Sequence, residues 1–506
     1  MTRLHSVVSS FLGQVRLKPE LAVASILFLM LTLTSSRYGW HRDELYFVVA
    51  GQHPAWGYPD QPLLTPLVTA ALNYLGSGSL VVVRLASALA SAATTVLVGV
   101  IAGQLGGSTR ARLIASAAWA VGAVSLVTGH FVDTTTFDIL ATVGVCSSLI
   151  AAIRNNSGRW IMMAGAVLGL GLLDKMIVGA VIALVCVCLV AVGPRSILLS
   201  RYSLAAAGFA ALGAAPYLVW QALHGWPQVA LAHSIAAGGA EGGRIGVIPF
   251  QLLLVSPFLV PVWVAGIILL LRNRTAVPAR AFAVAYLVLV VALIVTGGKA
   301  YYAAGLLPVM VAAGGVAADA WLARARKRWS LRGKVAMVST AVVLAFVVNA
   351  AIGLAILPVN LLTPTAVERI NPDAGEQVAW LAFTTAVARA FATIPASQRA
   401  STVILTNNYG EAGAVDKYGH ALGLPQAFSG HNGFAFWGPP TLEGPVVLVG
   451  FDTSPATERL FTNCHVATKV DNGVNLNNQE QGTLIQVCAT PARPWAKLWP
   501  KLVHFN

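Results

Sequence analysis

Residues 36–66 read SRYGWHRDELYFVVAGQHPAWGYPDQPLLTP and set His41, Arg42, Asp43, Glu44, His53 and Asp60 among Tyr38, Trp40, Tyr46, Phe47, Trp56 and Tyr58. Two carboxylates such as Asp43 and Asp60 can take a proton from a hydroxyl and hold a metal ion beside a phosphorylated leaving group. Oxygen ligands favour a hard divalent ion, Mg²⁺ or Mn²⁺, while the nearby histidines leave other metals open. A plain membrane-interface anchor needs aromatic and basic residues and has no use for the adjacent acids Asp43 and Glu44.

Further along, Lys175 and Lys299 each stand at the end of an apolar run. Fixed cations of this kind stabilise charge that grows on a phosphate as a bond to it breaks; the alternative is snorkelling to the membrane interface. Arg84 and Arg244 have a weaker claim to the same task. The stretch Gly129–Asp138 adds His130, Asp133 and Asp138, with Thr134–Thr136 and Asp133 placed to cap a following helix. Asp138 falls one turn inside that helix, where a carboxylate needs a partner. Near the C-terminus, Asn407–Ala414 and Ser429–Gly438 combine amides, glycines and aromatics, a mixture that suits sugars as well as ordinary turns. Glu411 and His431 are the acceptor-side candidates there, together with His41, His130, Asp133 and Asp138.

The elements that must hold these residues are membrane helices. Only 10% of the 506 residues are charged against 57% hydrophobic, and the mean hydropathy is +0.72. Eleven apolar stretches follow: 21–36, 80–104, 113–129, 135–153, 161–173, 176–192, 204–223, 248–271, 281–296, 301–322 and 335–357. The first is expected to be a retained helix, because the chemically loaded segment follows it directly and no small-residue cleavage site intervenes. With the N-terminus in the cytoplasm, 18 of the 24 basic residues before position 360 fall on the cytoplasmic side and seven of the nine acids on the other. The net charge of +14 therefore reports topology and not a nucleic-acid partner.

Composition changes after residue 358, where acids and bases balance. Helical patterning over 374–392 and strand-like runs at 402–406, 446–450 and 483–487 predict an extracytoplasmic α/β domain over 359–506, following a membrane region over 1–358 whose first external loop is 37–79. Cys464 and Cys488, the two cysteines of that domain, are the right number for one disulfide. The sequence contains no metal-type CxxC and no GxxxxGK[ST] phosphate loop, which argues against nucleotide-driven chemistry.

Four elements in order resemble a known family. Arg42-Asp43-Glu44-Leu45 after the first apolar stretch and Asp60-Gln61-Pro62-Leu63 ahead of the next are similar to the first external loop of the GT-C superfamily of membrane glycosyltransferases. The glycine-rich run Gly165–Lys175 and the element Lys299-Ala300-Tyr301-Tyr302 with Pro308 resemble later motifs of glycosyltransferase family 39, the protein O-mannosyltransferase-like and lipid A aminoarabinose transferase-like enzymes. Gln61 and Leu63 stand where an Asp-His-Pro-Pro version of the Asp60 element has His and Pro. The resemblance implies a polytopic α-helical GT-C fold that transfers a sugar from a polyprenyl-phosphate donor to a lipid, cell-wall glycan or protein hydroxyl outside the cytoplasm, in the cell membrane. It implies Asp43 as the base, with inversion; Glu44 as a positioning group; and Lys175, Lys299, Tyr301 and Tyr302 at the donor phosphate. Asp60 is the candidate metal ligand.

A secondary transporter would place carboxylates near the bilayer midplane in two similar halves, and the sequence has neither. A non-catalytic glycolipid-binding protein would leave Asp43 and Glu44 without a task.

Overall fold

A computed structural model describes residues 18–238, 243–324, 330–365 and 367–505. Arg3, Arg16, Glu241, Arg326, Lys327 and Arg328, which enter the charge pattern, lie outside the described residues.

The described helices of eight residues or more begin with α1 (Pro19–Thr34), α2 (Arg42–Gln52), α3 (Leu64–Leu75), α4 (Leu80–Gln104), α5 (Thr109–Ala120), α6 (Ala123–His130), α7 (Thr134–Asn155), α8 (Gly158–Leu172) and α9 (Ile177–Val192). They continue with α10 (Arg201–Leu223), α11 (Pro227–Gly238), α12 (Gly243–Val255), α13 (Val260–Leu271), α14 (Arg280–Thr296), α15 (Leu307–Ala323) and α16 (Leu331–Gly353). Three more, α17 (Trp380–Ala392), α18 (Tyr409–Tyr418) and α19 (Trp495–Leu502), belong to the C-terminal part. All eleven apolar stretches are helical, as expected where an apolar medium leaves backbone groups only each other for hydrogen bonding.

Among the described residues, α4, α7, α10 and α16 are long and apolar enough to cross a membrane singly. Two bent pairs raise the number to six: α5 with α6 at 57°, and Arg244–Val255 with Pro257–Leu271 at 83°. Gly122 interrupts the first pair and Pro257 the second, residues that loosen or break a helix. The other apolar helices are 12–17 residues long. Helices α3 and α11 were not foreseen; each is a 12-residue segment outside the eleven apolar stretches.

Small residues let the helices approach. A Cβ on Gly213 would lie 2.1 Å from the Gly169 carbonyl oxygen, and one on Gly165 would lie 2.3 Å from the Ala206 Cα, so α8 and α10 touch along their backbones.

The C-terminal sheet has the strand order β2-β1-β3-β5-β4, with β1 (Val403–Thr406), β2 (Ala427–Ser429), β3 (Val446–Val449), β4 (His465–Lys469) and β5 (Leu484–Cys488). Strand β1 runs parallel to β2 and β3, whereas β5 is antiparallel to both neighbours. Alternation along the strands divides the core. Val403, Leu405, Val446 and Leu448 face α19, while Ile404, Val447 and Val449 pack with α17, α18 and, notably, with Leu45, Tyr46, Phe47 and Val49 of α2. The segment after α1 and the sheet therefore share one hydrophobic core. Cys464 and Cys488 are disulfide-bonded. The predicted 374–392 helix begins only at Trp380, because Pro372–Gln377 forms a 3₁₀ turn and Ala379 adopts a left-handed φ of 71°.

Helix α18 lies against α2 through two glycines one turn apart. A Cβ on Gly410 would come 2.7 Å from the Arg42 Cβ, and one on Gly413 would come 2.9 Å from the Leu45 Cβ. Gly413→Leu is therefore expected to lower the thermal unfolding midpoint, by a stability loss of about 1–3 kcal/mol or more from overpacking. Gly208→Leu, at a position with no atom within 4 Å of the added Cβ, should leave it unchanged; equal midpoints for the two variants would refute the close α2–α18 contact.

Candidate active site

Helix α2 carries the acidic pair at its N-terminus. His41 precedes it in extended conformation, its Nδ1 accepts from the Asp43 backbone N–H at 3.2 Å, and its own N–H donates to Glu44 Oε2 at 2.8 Å. This capping box sets the helix start, and the first-turn acids suit the partial positive charge there.

The two neighbours then diverge. Glu44 is fully buried, and its oxygens accept from Arg84 Nε at 2.9 Å, Arg84 Nη2 at 2.8 Å and the Val132 N–H at 2.9 Å. Arg84, 1% exposed, spends its remaining donors on the carbonyls of Ser35 and Gly39 and on Gln377 Oε1. Both residues are committed to each other and to the groups around them. Asp43 instead keeps a side chain about one-quarter exposed. Its Oδ1 accepts from the Tyr409 hydroxyl at 2.8 Å and lies 3.7 Å from Arg42 Nε. Burial pushes the Tyr409 phenol well above the usual tyrosine range, partly offset by Arg42, so it stays a donor. Arg42 is itself held by Glu376 at 3.9 Å, by Gln479 and over the Tyr409 ring.

Asp60 sits in a tight turn in which the Tyr58 N–H donates to the Gln61 carbonyl, with Pro59 at the turn's second position. Its Oδ1 accepts from the Tyr46 hydroxyl at 3.0 Å, and the Tyr46 ring lies 4.9 Å from that of Tyr409. Burial raises the Asp60 carboxyl to about 7, with the Tyr46 hydrogen bond opposing the shift and the Asp43 charge reinforcing it. Asp43 and Asp60 thus flank one pair of tyrosines.

A second cluster gathers residues from three distant segments. Lys175 Nζ lies 3.2 Å from Asp138 Oδ2, donates to Thr135 Oγ1 at 3.1 Å, and stands over the rings of Tyr301 and Tyr302 at 5.4 and 5.9 Å. Lys299 stands over Tyr301 at 5.8 Å and makes no ion pair among the described residues. Asp138 finds its partner in Lys175; Asp133 does not cap α7 with its side chain, which accepts from the Thr134 hydroxyl at 3.2 Å instead. The two clusters are joined by the segment after Asp60, since the Leu64 N–H donates to the Leu173 carbonyl at 2.9 Å and the Thr65 hydroxyl to Asp174.

The remaining candidates have structural tasks. His41 stacks on Phe131 at 4.2 Å. His130 is buried beside Arg84, with its Nε2 3.4 Å from Nη1. His431 is buried, accepts from the Tyr409 N–H at 3.4 Å and stacks on His504 at 4.5 Å. Glu411, 3% exposed, accepts from the N–H groups of Asn407 and Asn408 and closes a capping box on α18. Asn407–Ala414 is thus a helix start that holds Tyr409 against Asp43. Tyr409 and Tyr46 were missed as site residues; Tyr46 is signalled in the sequence only by being an aromatic residue close to the acids, and Tyr409 by nothing local.

Residues 60–220 match the family model described as dolichyl-phosphate-mannose-protein mannosyltransferase. The structure is similar to the crystal structure of ArnT from Cupriavidus metallidurans in the apo state, with a TM-score of 0.58 and 15% identity over 92% of this chain and 97% of that one. The same protein bound to undecaprenyl phosphate matches with a TM-score of 0.57 and 12% identity over the same shares. The fold is therefore similar to that of ArnT. No curated protein matches the chain by sequence. An Archaeoglobus fulgidus oligosaccharyltransferase, crystallised with Zn and sulfate, reaches a TM-score of 0.44 and 15% identity over 79% of this chain and 61% of that one, too distant to bear on this chain's chemistry.

The donor set around Asp60 does not fit a metal ion. Among the described residues no three His, Cys, Asp or Glu side chains converge, Glu44 is consumed by Arg84, and Asp60 is bonded to Tyr46.

Burial raises the Glu411 carboxyl to about 8, above its ordinary value of 4.5, against the opposing hydrogen bonds of Asn408 and Asn407. The folded state thus holds a proton that the unfolded state releases between these values, so stability falls as pH rises from 4.5 to 8. Glu411→Gln, which can still cap, should make the decline of thermal midpoint across that window shallower. An unchanged slope would contradict the buried, proton-holding carboxyl.

Proposed function

We propose that the protein is a membrane glycosyltransferase that moves a sugar from a polyprenyl-phosphate carrier to an acceptor hydroxyl on the extracytoplasmic face. The observation that carries this reading is Asp43: partly exposed, at a helix N-terminus, with one oxygen held by Tyr409, beside a neighbour that is wholly locked. The family match over residues 60–220 and the likeness to ArnT, crystallised with undecaprenyl phosphate, support the donor class.

In the proposed step the Asp43 carboxylate takes the acceptor O–H proton as that oxygen bonds to the anomeric carbon. The bond from that carbon to the phosphate oxygen breaks with inversion, and its electron pair leaves on polyprenyl phosphate. Lys299, whose charge no carboxylate neutralises among the described residues, meets the growing phosphate charge. Lys175, already paired with Asp138, positions Tyr301 and Tyr302 beneath it. Tyr409 holds the carboxylate in place, and the neighbouring Asp60, near half-ionised at neutral pH, is proposed as an acceptor contact and not as a metal ligand.

The proposed placement has eleven spans, formed by the eleven apolar stretches, with the N-terminus cytoplasmic. Residues 1–358 form the membrane region and 359–506 an extracytoplasmic domain; the disulfide and the acids gathered with Asp43 support that orientation. The cell membrane is the corresponding location.

Asp43→Asn keeps an acceptor for Tyr409 and is expected to fold normally while losing roughly 10²–10⁴ in transfer rate, the usual contribution of a general base. Near-normal turnover of the purified variant with a polyprenyl-phosphate sugar would remove Asp43 from the mechanism. Lys299→Ala should weaken undecaprenyl phosphate binding by about 10-fold or more, the loss of one charge-assisted contact; unchanged affinity would place the phosphate elsewhere.

A further inference from the structure

Between the first external loop, the end of α10 and the C-terminal part lies a cavity of about 320 Å³, within the range of about 300–1,000 Å³ usual for small-molecule sites. Its wall is aromatic. His53 stacks on Trp437 with ring centroids 4.3 Å apart and an interplanar angle of 13°; Trp220 stacks on His224 at 4.1 Å and 18°; Phe436 leans on the second pair at 5.5 and 5.6 Å. No Leu, Ile, Val or Met lines it. Phe436 is 39% exposed and His224 is exposed, so the mouth is open to water.

The cavity is wired to the carboxylates. Gly57, Tyr58 and Pro59 of its lining lead directly into Asp60, and the Gly433 N–H of the opposite wall donates to the Tyr46 hydroxyl, which in turn donates to Asp60. Helix α10 clamps the same turn, with Gln221 Nε2 donating to the Tyr58 carbonyl at 3.1 Å. The lysine cluster joins Asp60 from the other direction, through Leu64 and Thr65.

We propose that this cavity is the acceptor subsite and that the acceptor is a carbohydrate ring, an inference that rests on the transfer reading above and names its substrate class. A pyranose or furanose presents a C–H face that packs on flat π surfaces and a rim of hydroxyls that imidazole nitrogens and backbone groups can bind. An isoprenoid tail would call for branched aliphatic walls closed to water, which this lining lacks. A peptide acceptor would leave the paired stacks without a partner. A ring on the Trp437 and Phe436 surfaces lies next to the turn that holds Asp60.

The test is saturation-transfer NMR on the full chain in lipid nanodiscs, with methyl mannopyranoside, methyl glucopyranoside and methyl arabinofuranoside as probes and undecaprenyl phosphate binding measured in parallel. At least one glycoside should receive saturation at its ring C–H protons. Trp437→Ala and Phe436→Ala should each cut that signal about 10-fold while undecaprenyl phosphate still binds, which also shows that the variants are folded. Glycoside signals that survive both substitutions, glycosides that never bind while undecaprenyl phosphate does, or displacement of the glycoside by farnesol would each overturn the subsite and leave the transfer reading standing. Wild-type protein that fails to bind undecaprenyl phosphate would overturn the transfer reading, and the glycoside signal with its Trp437 dependence would then decide the cavity separately.

Discussion

The pairing of Arg84 with Glu44 governs the geometry around it. Both side chains are essentially sealed from solvent, and a buried charge left without its partner costs about 3–5 kcal/mol, so each holds the other in place. The guanidinium also gathers the carbonyls of Ser35 and Gly39 at the exit of α1 and Gln377 from the C-terminal part, while Glu44 reaches the backbone of Val132 between α6 and α7. Five segments are thereby registered on the residue beside Asp43. The sealed Glu44 fixes the start of the helix that carries the partly exposed Asp43.

A similar division runs through the other charges. Of the two lysines near the aromatic pair, Lys175 is neutralised by Asp138 while Lys299 has only a ring beneath it. Of the two carboxylates near the tyrosines, Asp43 is partly exposed while Asp60 is pushed toward neutrality by burial. Charge is expensive in an apolar scaffold, so most of it is paired off, and Asp43, though bonded to Tyr409 and close to Arg42, stays reachable from solvent. The C-terminal part completes the arrangement: Tyr409 on Asp43, Gly433 against Tyr46 and Trp437 over His53 come from residues more than three hundred positions away.

Much of this was legible in the residues. The eleven apolar stretches became helices because a run without charge or breaker has little alternative, and three of the sheet's strands announced themselves as β-branched runs between turn residues. The pairs Lys175 with Asp138 and Lys299 with Tyr301 fall within segments the motifs had marked. Less legible were the helix lengths, since 12–17-residue helices and two sharp bends depend on where neighbours pack and where Gly122 and Pro257 loosen the backbone. Illegible too were the tasks of Glu411, His130 and His431, polar residues in promising company that turn out to cap, to line Arg84 or to stack.

Composition and local pattern settled that the chain is helical and apolar, that a sheet follows, and that acids collect around residues 43–60, because these follow from hydropathy, period and propensity within a few residues. Which acid is free and which is consumed was decided only in three dimensions. Asp43 and Glu44 are adjacent and chemically alike, and nothing local distinguishes them. The difference comes from Arg84, forty residues on, and Tyr409, more than three hundred on, because the reactivity of a carboxylate is set by the groups that surround it once the chain has folded.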